Sequence, residues 1–297
     1  MGVLSRRQMI ALMGSAGAAA MLPRAMRATP LGLPVGIQLY MVSKPLNEDA
    51  PGTLKTLYDL GYREVETAGT AKYPAAEFAK LITDAGLKCP SVHLQVKNDD
   101  FDSALADAKA LGGHYAVNSF MRIPPPGGKL SADGKLGLDG FQRLAERLNE
   151  LGKKAKAIGM QYAYHNHNME FEKMPDGTPG YDLLVKQTDA DLVKFEIDCG
   201  WMTVAGANPV EYFKKYPGRF KMLHIKDFQP LAGNGKGDEG VRPKGTDLGT
   251  GFVKYGPIFA GAKGVGIEHI FAEQEQPFAV SQMDSAKVDY AYIAKFS

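Results

Sequence analysis

The chain has 297 residues, with 35 lysines and arginines against 33 aspartates and glutamates, and a formal net charge of +2. This balance excludes the strongly basic footprint of a nucleic-acid-binding protein, so we expect no nucleic-acid partner. The length allows a sizeable core within a single domain.

The N-terminal segment is similar to a twin-arginine export signal. Arg6 and Arg7 precede an apolar stretch rich in alanine and glycine over residues 11–22. About a dozen apolar residues are too few for a permanent membrane anchor, and small residues follow where a peptidase could cut, after Ala20 or Ala28. We therefore predict a signal peptide over residues 1–30, export by the twin-arginine machinery and a periplasmic or otherwise exported location. The alternative is an ordinary tail with a chance arginine pair.

After this leader, strand-like apolar runs alternate with amphipathic helical stretches. Strands are predicted over residues 35–40, 64–68, 88–94, 115–120, 160–165, 192–198, 220–226 and 267–273. Helices are predicted over residues 53–60, 75–85, 101–111 and 141–158, each followed by a glycine typical of a helix C-terminus: Gly61, Gly86, Gly112 and Gly159. The alternation predicts one closed (β/α)8 TIM barrel over residues 31–297, and no glycine-rich dinucleotide fingerprint follows the first strand.

Two connections are longer than such folds require. Residues 121–139 and 227–251 both follow predicted strands at the barrel face where active sites form. We expect these loops to shape the substrate pocket, the alternative being surface segments without a role.

The chain has two cysteines, Cys89 and Cys199. Both are assigned to predicted barrel strands that lie far apart in strand order. We interpret them as buried free thiols rather than as a disulfide.

The last four predicted strands each end in a potential metal ligand: His165, Asp198, His224 and Glu273. Polar side chains at the end of a strand buried on both faces need a reason, and a divalent cation provides one. Imidazole together with carboxylate suits Mn, Zn, Fe or Co better than Mg or Ca. On the last strand Glu268 competes with Glu273, but it lies five residues earlier and on the opposite strand face.

These segments resemble the sugar phosphate isomerase/epimerase superfamily with the xylose isomerase-like barrel. The resemblance covers essentially the whole chain after the leader. The segments that carry it are VGIQLY at 35–40, GYREVE at 61–66, SVH at 91–93, YHNH at 164–167, FEID at 195–198, LHIKD at 223–227 and FAEQE at 271–275.

The resemblance implies one metal ion held by two glutamates, one aspartate and one histidine from the last four strands. Asp198, His224 and Glu273 match that pattern, whereas His165 stands where a glutamate is usual. Either His165 is itself a ligand, or Glu170 supplies the carboxylate from the following loop. Strand geometry favours His165.

The resemblance and the ligand pattern predict a metal-dependent isomerase or epimerase of a sugar or keto-sugar that acts through an enediolate. A divalent ion on such a substrate polarises the carbonyl and eases removal of the neighbouring proton. Glu170, His167 and Lys226 are the candidates for proton transfer. Export favours a non-phosphorylated carbohydrate, such as a 3-keto-glycoside or an inosose-like polyol.

Three further residues are assigned to substrate binding. Glu66 and His93, at the ends of the second and third strands, are predicted to meet substrate hydroxyls across the barrel mouth. Trp201 either packs in the core or stacks on a sugar face.

Other functions fit the same pattern. A lyase or dehydratase on a 3-keto-glycoside or inosose-like substrate would share the enediolate, and His165 in place of glutamate favours it mildly. A sugar-binding protein without catalysis is the alternative of another class. A DNA repair endonuclease of this barrel type would need more histidines than the six present, and a basic groove.

Overall fold

The structure is a computed structural model that describes residues 29–119, 125, 136–230 and 243–296. Eight parallel strands close into a barrel: β1 Val35–Gln38, β2 Glu64–Thr67, β3 Lys88–His93, β4 Tyr115–Asn118, β5 Gln161–His165, β6 Val193–Asp198, β7 Phe220–Ile225 and β10 His269–Ala272. Their order around the barrel is β1-β10-β7-β6-β5-β4-β3-β2. The predicted (β/α)8 barrel is confirmed.

Each predicted strand is present, and its ends differ from the prediction by a few residues. The first strand stops at Gln38 instead of residue 40, because the Gln38 side chain accepts a hydrogen bond from the Tyr40 amide and begins a 3-10 turn, Leu39–Val42. A separate antiparallel pair, β8 Asp227–Phe228 and β9 Gly245–Thr246, lies in the connection that follows β7.

Helices cover the outside of the barrel. They are α1 Ser43–Glu48, α2 Ala50–Leu60, α3 Ala75–Asp84, α4 Phe101–Ala110, α5 Gly137–Ala157, α6 Gly180–Gln187, α7 Cys199–Val204, α8 Pro209–Lys215, α9 Tyr255–Ala262 and α10 Gln282–Ile293. The four predicted helices correspond to α2, α3, α4 and α5. Gly61, Gly86, Gly112 and Gly159 have φ angles of 123°, 85°, 84° and 79°, a conformation that favours glycine, so these helix ends are confirmed.

Several predicted features lie wholly or partly outside the residues that the structure describes. The predicted signal peptide and its cleavage positions lie outside the described residues, except for its last two residues. Most of the 121–139 connection and residues 231–242 of the other long loop also lie outside them. Helix α5 begins at Gly137, so the first of these connections is shorter than predicted. In the portion of the chain that the structure describes, no helix is long and apolar enough to cross a membrane.

An apolar layer fills the barrel interior: Tyr115, Val117, Ala163, Met222 and Phe271. Ala163, Met222 and Phe271 each precede a predicted metal ligand by two residues, and alternate residues of a strand share one face. His165, His224 and Glu273 therefore point into the barrel, one layer nearer its carboxyl end.

A glycine makes room for this layer. A Cβ added to Gly36 would come within 2.5 Å of the Phe271 ring. The close approach of β1 to that ring therefore requires glycine.

Both cysteines are free and buried, as predicted. Cys89 lies in β3, but Cys199 is the first residue of α7 and not part of a strand. Asp198 ends β6 and caps α7, since its Oδ1 accepts a hydrogen bond from the Trp201 amide at 2.7 Å.

Asp289 on α10 is a buried carboxyl group. Its Oδ1 accepts a hydrogen bond from the Leu248 amide at 2.8 Å. Burial raises the pKa of Asp289 well above its usual value, and the carboxylates of Asp247 and Asp227 raise it further. A carboxyl group whose pKa is raised on folding lowers stability once the pH exceeds its unfolded pKa, because the unfolded state releases the proton at a lower pH than the folded state does.

We expect Asp289→Asn to increase the free energy of unfolding at pH 7 by about 1 kcal/mol or more, since the amide keeps the acceptor and removes the buried charge. The gain over the parent protein should grow as the pH rises from about 4 and disappear in acid. Urea unfolding between pH 4 and 8 measures it, with the exposed Asp59→Asn as control. A gain that does not change with pH would contradict the assignment.

Candidate metal centre

Four predicted ligands meet at the carboxyl end of the barrel. His165 and Asp198 are the last residues of β5 and β6, His224 is the penultimate residue of β7, and Glu273 follows β10. Asp198 and His224 are direct register partners. The ligand atoms of these four side chains all lie within 4.8 Å of one another. Closure of the barrel thus brings together residues that span more than a hundred positions in the sequence.

A second group overlaps with the first. It consists of His93, His165, Glu196 and His224, whose ligand atoms also lie within 4.8 Å of one another. Glu196 was not among the sequence candidates. The available signal was a carboxylate inside an apolar strand, two residues before Asp198 and therefore on the same face. Glu196 is fully buried, and its carboxylate lies among the histidines of the site.

We call His165, Asp198, His224 and Glu273 the outer group. His224 Nδ1 lies 2.9 Å from Glu273 Oε2, and His165 Nε2 lies 3.8 Å from Asp198 Oδ2. Lys226, fully buried, places its Nζ 3.0 Å from Asp198 Oδ2 and 2.6 Å from Glu273 Oε2. These contacts place the Lys226 ammonium between the carboxylates of Asp198 and Glu273.

Beneath the outer group lies a layer that we call the inner layer: Glu66, His93 and Glu196. Glu66 Oε2 lies 2.6 Å from His224 Nε2 and accepts a hydrogen bond from Gln38 Nε2 at 2.8 Å. Glu196 Oε2 lies 3.0 Å from His165 Nδ1. His93 Nε2 lies 3.0 Å from Glu196 Oε2 and 3.2 Å from Glu66 Oε2, so it bridges the two carboxylates.

Charge pairing sets the protonation states of the inner layer. Burial by itself lowers the pKa of His93, but Glu66 and Glu196 raise it to about 10. Burial also lowers the pKa of His224, but the carboxylates of Glu196, Glu66 and Glu273 outweigh burial and raise this pKa well above its usual value. Burial raises the pKa of Glu196, yet His224, His165 and His93 hold it well below normal. The buried charges therefore compensate one another.

In the outer group Lys226 carries the balancing charge. Burial lowers the pKa of Lys226, but Asp198, Glu273 and Glu275 outweigh burial and raise it above its usual value. Burial raises the pKa of Glu273, while Lys226 and His224 bring it well below normal. Lys226 is therefore an ammonium, a hydrogen-bond donor rather than a base.

The residues present fit a divalent cation. Glu196 Oε1 is buried and accepts no hydrogen bond from any described residue, and Asp198 Oδ2 faces the Lys226 ammonium at 3.0 Å. A buried carboxylate oxygen without a donor is costly unless a cation binds it. Mixed imidazole and carboxylate donors suit Zn, Mn, Fe or Co.

Two of the three predicted proton-transfer residues, His167 and Glu170, lie on the loop after β5, and the third, Lys226, follows β7. The His167 ring lies 4.9 Å from the His165 ring and 5.7 Å from Trp201. Glu170 is buried, and its two oxygens accept hydrogen bonds of 2.8 Å from the Tyr164 hydroxyl and the His167 amide. Neither metal-ligand group found among the described residues includes Glu170, which favours His165 as the fifth-strand ligand.

The predicted substrate-binding residues differ in accessibility. Glu66 is fully buried in the inner layer, and Trp201 is nearly so. Trp201 Nε1 donates a hydrogen bond to Glu275 at 3.0 Å, and its ring lies 4.5 Å from Phe228, so packing accounts for most of its surface. His93 keeps part of its side chain exposed and lines a cleft of about 560 Å³ with Gln95. Substrate contact by these residues stays a prediction.

The fold and the site together define a (β/α)8 barrel with a candidate metal centre at its carboxyl end. The chain matches the xylose isomerase-like TIM barrel family over residues 54–282. It belongs to that family, and the family prediction is confirmed.

Similar proteins fall into two sets. An inosose dehydratase of Clostridium botulinum is 37% identical over 126 residues, which cover 39% of this chain and 40% of the relative. A sugar phosphate isomerase/epimerase structure from Parabacteroides distasonis is 26% identical with a TM-score of 0.72, over 92% of this chain and 96% of that one. The chain thus spans less than half of the curated relative that it matches.

More distant structures share the fold alone. A family member from Mycobacterium smegmatis in complex with magnesium is 18% identical, with a TM-score of 0.62 over 92% of this chain and 98% of that one. The IOLI protein with a bound zinc atom is 14% identical, with a TM-score of 0.64 over 89% of this chain and 99% of that one.

We expect Asp198→Asn to weaken binding of zinc or manganese at least tenfold, because the amide is a poorer ligand than the carboxylate. Asparagine keeps the oxygen that caps α7, so the fold should persist. Metal content after dialysis and competition with a chelator measure the loss. The matched control is Asp49→Asn, which alters the aspartate that caps α2; equal losses in the two variants would remove Asp198 from the ligand set.

Proposed function

We propose that this protein is a divalent-metal-dependent isomerase or epimerase that acts on a sugar or keto-sugar through an enediolate. The observation that carries the proposal is the outer group, in which four ligand atoms within 4.8 Å stand beside a buried ammonium at the barrel mouth. Active sites of this fold lie at that end. Membership of the xylose isomerase-like family supports it.

A divalent ion bound there would supply Lewis-acid polarisation of a substrate carbonyl. Lys226 adds a second positive charge, since its Nζ lies within 3.0 Å of both Asp198 and Glu273. Because it is buried and stays protonated, it can donate a hydrogen bond to an enediolate oxygen without moving far. We assign Lys226 to stabilising the developing oxyanion.

Proton transfer is assigned first to His167. Burial and the nearby His165 and Lys226 lower the pKa of His167 well below its usual value, so the imidazole is neutral and can accept a proton. Glu170 accepts a hydrogen bond from the His167 amide, and it is the second candidate. Through this bond it also fixes the position of the His167 backbone.

A sugar-like substrate is supported by the family and by the named activities of the similar proteins. The predicted export signal would favour a non-phosphorylated carbohydrate, such as a 3-keto-glycoside or an inosose-like polyol. A periplasmic location and passage through the twin-arginine machinery remain part of this proposal.

A second candidate is a lyase or dehydratase. It is favoured by the 37% identity to inosose dehydratase over part of the chain. The lyase and the isomerase would share the first step, removal of the proton next to the carbonyl. In the lyase the enediolate would then lose a β-substituent, whereas in the isomerase a proton would return to carbon.

The first experiment incubates the zinc-loaded protein with free ketoses, inososes and 3-keto-glycosides in deuterated water and follows them by NMR. We expect deuterium next to the carbonyl, with an isomer or epimer as product, and no exchange in Asp198→Asn or His224→Ala. An unsaturated or cleaved product would establish the lyase instead. Sugar binding without exchange, in protein shown to retain zinc, would make it a binding protein.

Lys226→Met tests the oxyanion role. We expect kcat/KM to fall about a hundredfold, because a preorganised donor is lost, while zinc retention is unchanged or tighter. Steady-state rates and metal content are measured together. Lys221→Met is the control: this residue lies on β7 at the other end of the barrel, where its Nζ contacts Glu268 at 2.7 Å. An unchanged rate in Lys226→Met would contradict the assignment.

A further inference from the structure

We propose that Glu66 and Glu196 are positioning residues that fix the tautomers of His224 and His165, so that the metal ion is bound in the outer group and not in the inner layer. Both histidines belong to both ligand groups. In each ring, one nitrogen faces the outer group and the other faces a carboxylate of the inner layer. Which nitrogen carries the proton therefore decides where a cation binds.

The contacts assign the protons. His224 directs Nε2 at Glu66, 2.6 Å away, and Nδ1 at Glu273, 2.9 Å away. His165 directs Nδ1 at Glu196, 3.0 Å away, and Nε2 toward Asp198. A metal-bound histidine typically donates its other N–H to a carboxylate, which fixes the ring and raises its basicity. With protons on the inner nitrogens, His224 Nδ1 and His165 Nε2 face the outer group, where a cation would take the place of the proton that lies between His224 Nδ1 and Glu273.

The inner layer is already occupied by hydrogen bonds. Glu66 accepts from Gln38 Nε2 and from the Ser91 hydroxyl, in addition to His224. These donors are its register neighbours: Gln38 on β1 and Ser91 on β3 pair directly with Glu66 on β2. The barrel thus holds this carboxylate from both sides.

His93 adds a positive charge between the two carboxylates. Its Nε2 lies within 3.2 Å of both Glu66 and Glu196. A cation bound by the inner layer would have to displace that N–H and bind beside the charge. The outer group offers Asp198 Oδ2, which faces Lys226 Nζ at 3.0 Å and His165 Nε2 at 3.8 Å. Glu196 Oε1 accepts no hydrogen bond from the described residues, so it is the oxygen that a cation in the inner layer would bind.

The test reads the tautomers directly. In zinc-loaded protein labelled with 15N-histidine, long-range 1H–15N NMR separates protonated from metal-bound ring nitrogens. We expect His224 with Nε2 protonated and Nδ1 bound to zinc, and His165 with Nδ1 protonated and Nε2 bound. The opposite pattern on both rings would place zinc in the inner layer and overturn the proposal. This readout needs no substrate, so it stands or fails independently of the proposed reaction.

Zinc affinity, measured by chelator competition, provides the second arm. We expect Glu66→Gln and Glu196→Gln each to weaken binding by about 10- to 100-fold, and His93→Gln by less than either. Loss of zinc in both Glu196→Gln and His93→Gln, with Asp198→Asn unaffected, would identify the inner layer as the ligand set.

The matched control is Glu64→Gln. Glu64 lies on the same strand as Glu66 and forms a carboxylate–histidine contact with His269 Nδ1 at 2.8 Å, outside both ligand groups. Its removal should leave zinc affinity unchanged. A loss equal to that of Glu66→Gln would show that any carboxylate–histidine pair of the barrel has this effect, and would contradict a specific role for Glu66.

Discussion

The constraint on which the site depends is the cost of burying charge. Glu66, Glu196, Asp198, His224 and Lys226 are all inaccessible to solvent. An isolated buried charge is far too costly, so each must face a partner of opposite sign. The barrel supplies those partners across neighbouring strands, and His93 and Lys226 provide the cations that balance the carboxylates. Removing any one of these groups leaves another charge without compensation.

Strand geometry turns that cluster into two levels. Because side chains two residues apart share a face, Glu196 lies directly below Asp198 on β6, and Met222 lies below His224 on β7. The apolar layer packs beside these charged side chains, and its Met222 is the register partner of Glu196. Asp198 links the site to the surrounding helices, since one oxygen caps α7 and the other faces Lys226.

The family fixes the scaffold but not the reaction. An isomerase/epimerase and a dehydratase occur among the similar proteins. In the reaction proposed for this chain, the fate of the enediolate depends on the position of the group that returns the proton. In this chain that role is proposed for His167, whose backbone amide donates a hydrogen bond to the Glu170 carboxylate.

The sequence by itself determined the barrel, because buried parallel strands read as apolar runs and helix ends as glycines with positive φ. It also predicted the four outer-group side chains, since each lies at the carboxyl end of its strand or within one residue of it. Only the tertiary structure decided the pairing of Glu66 and Glu196 with the histidine rings. Those contacts join strands up to 158 residues apart, and ring orientation depends on partners that spacing along one strand does not specify. The tertiary structure also makes Asp198 both a helix cap and a candidate ligand, since its two oxygens face different partners.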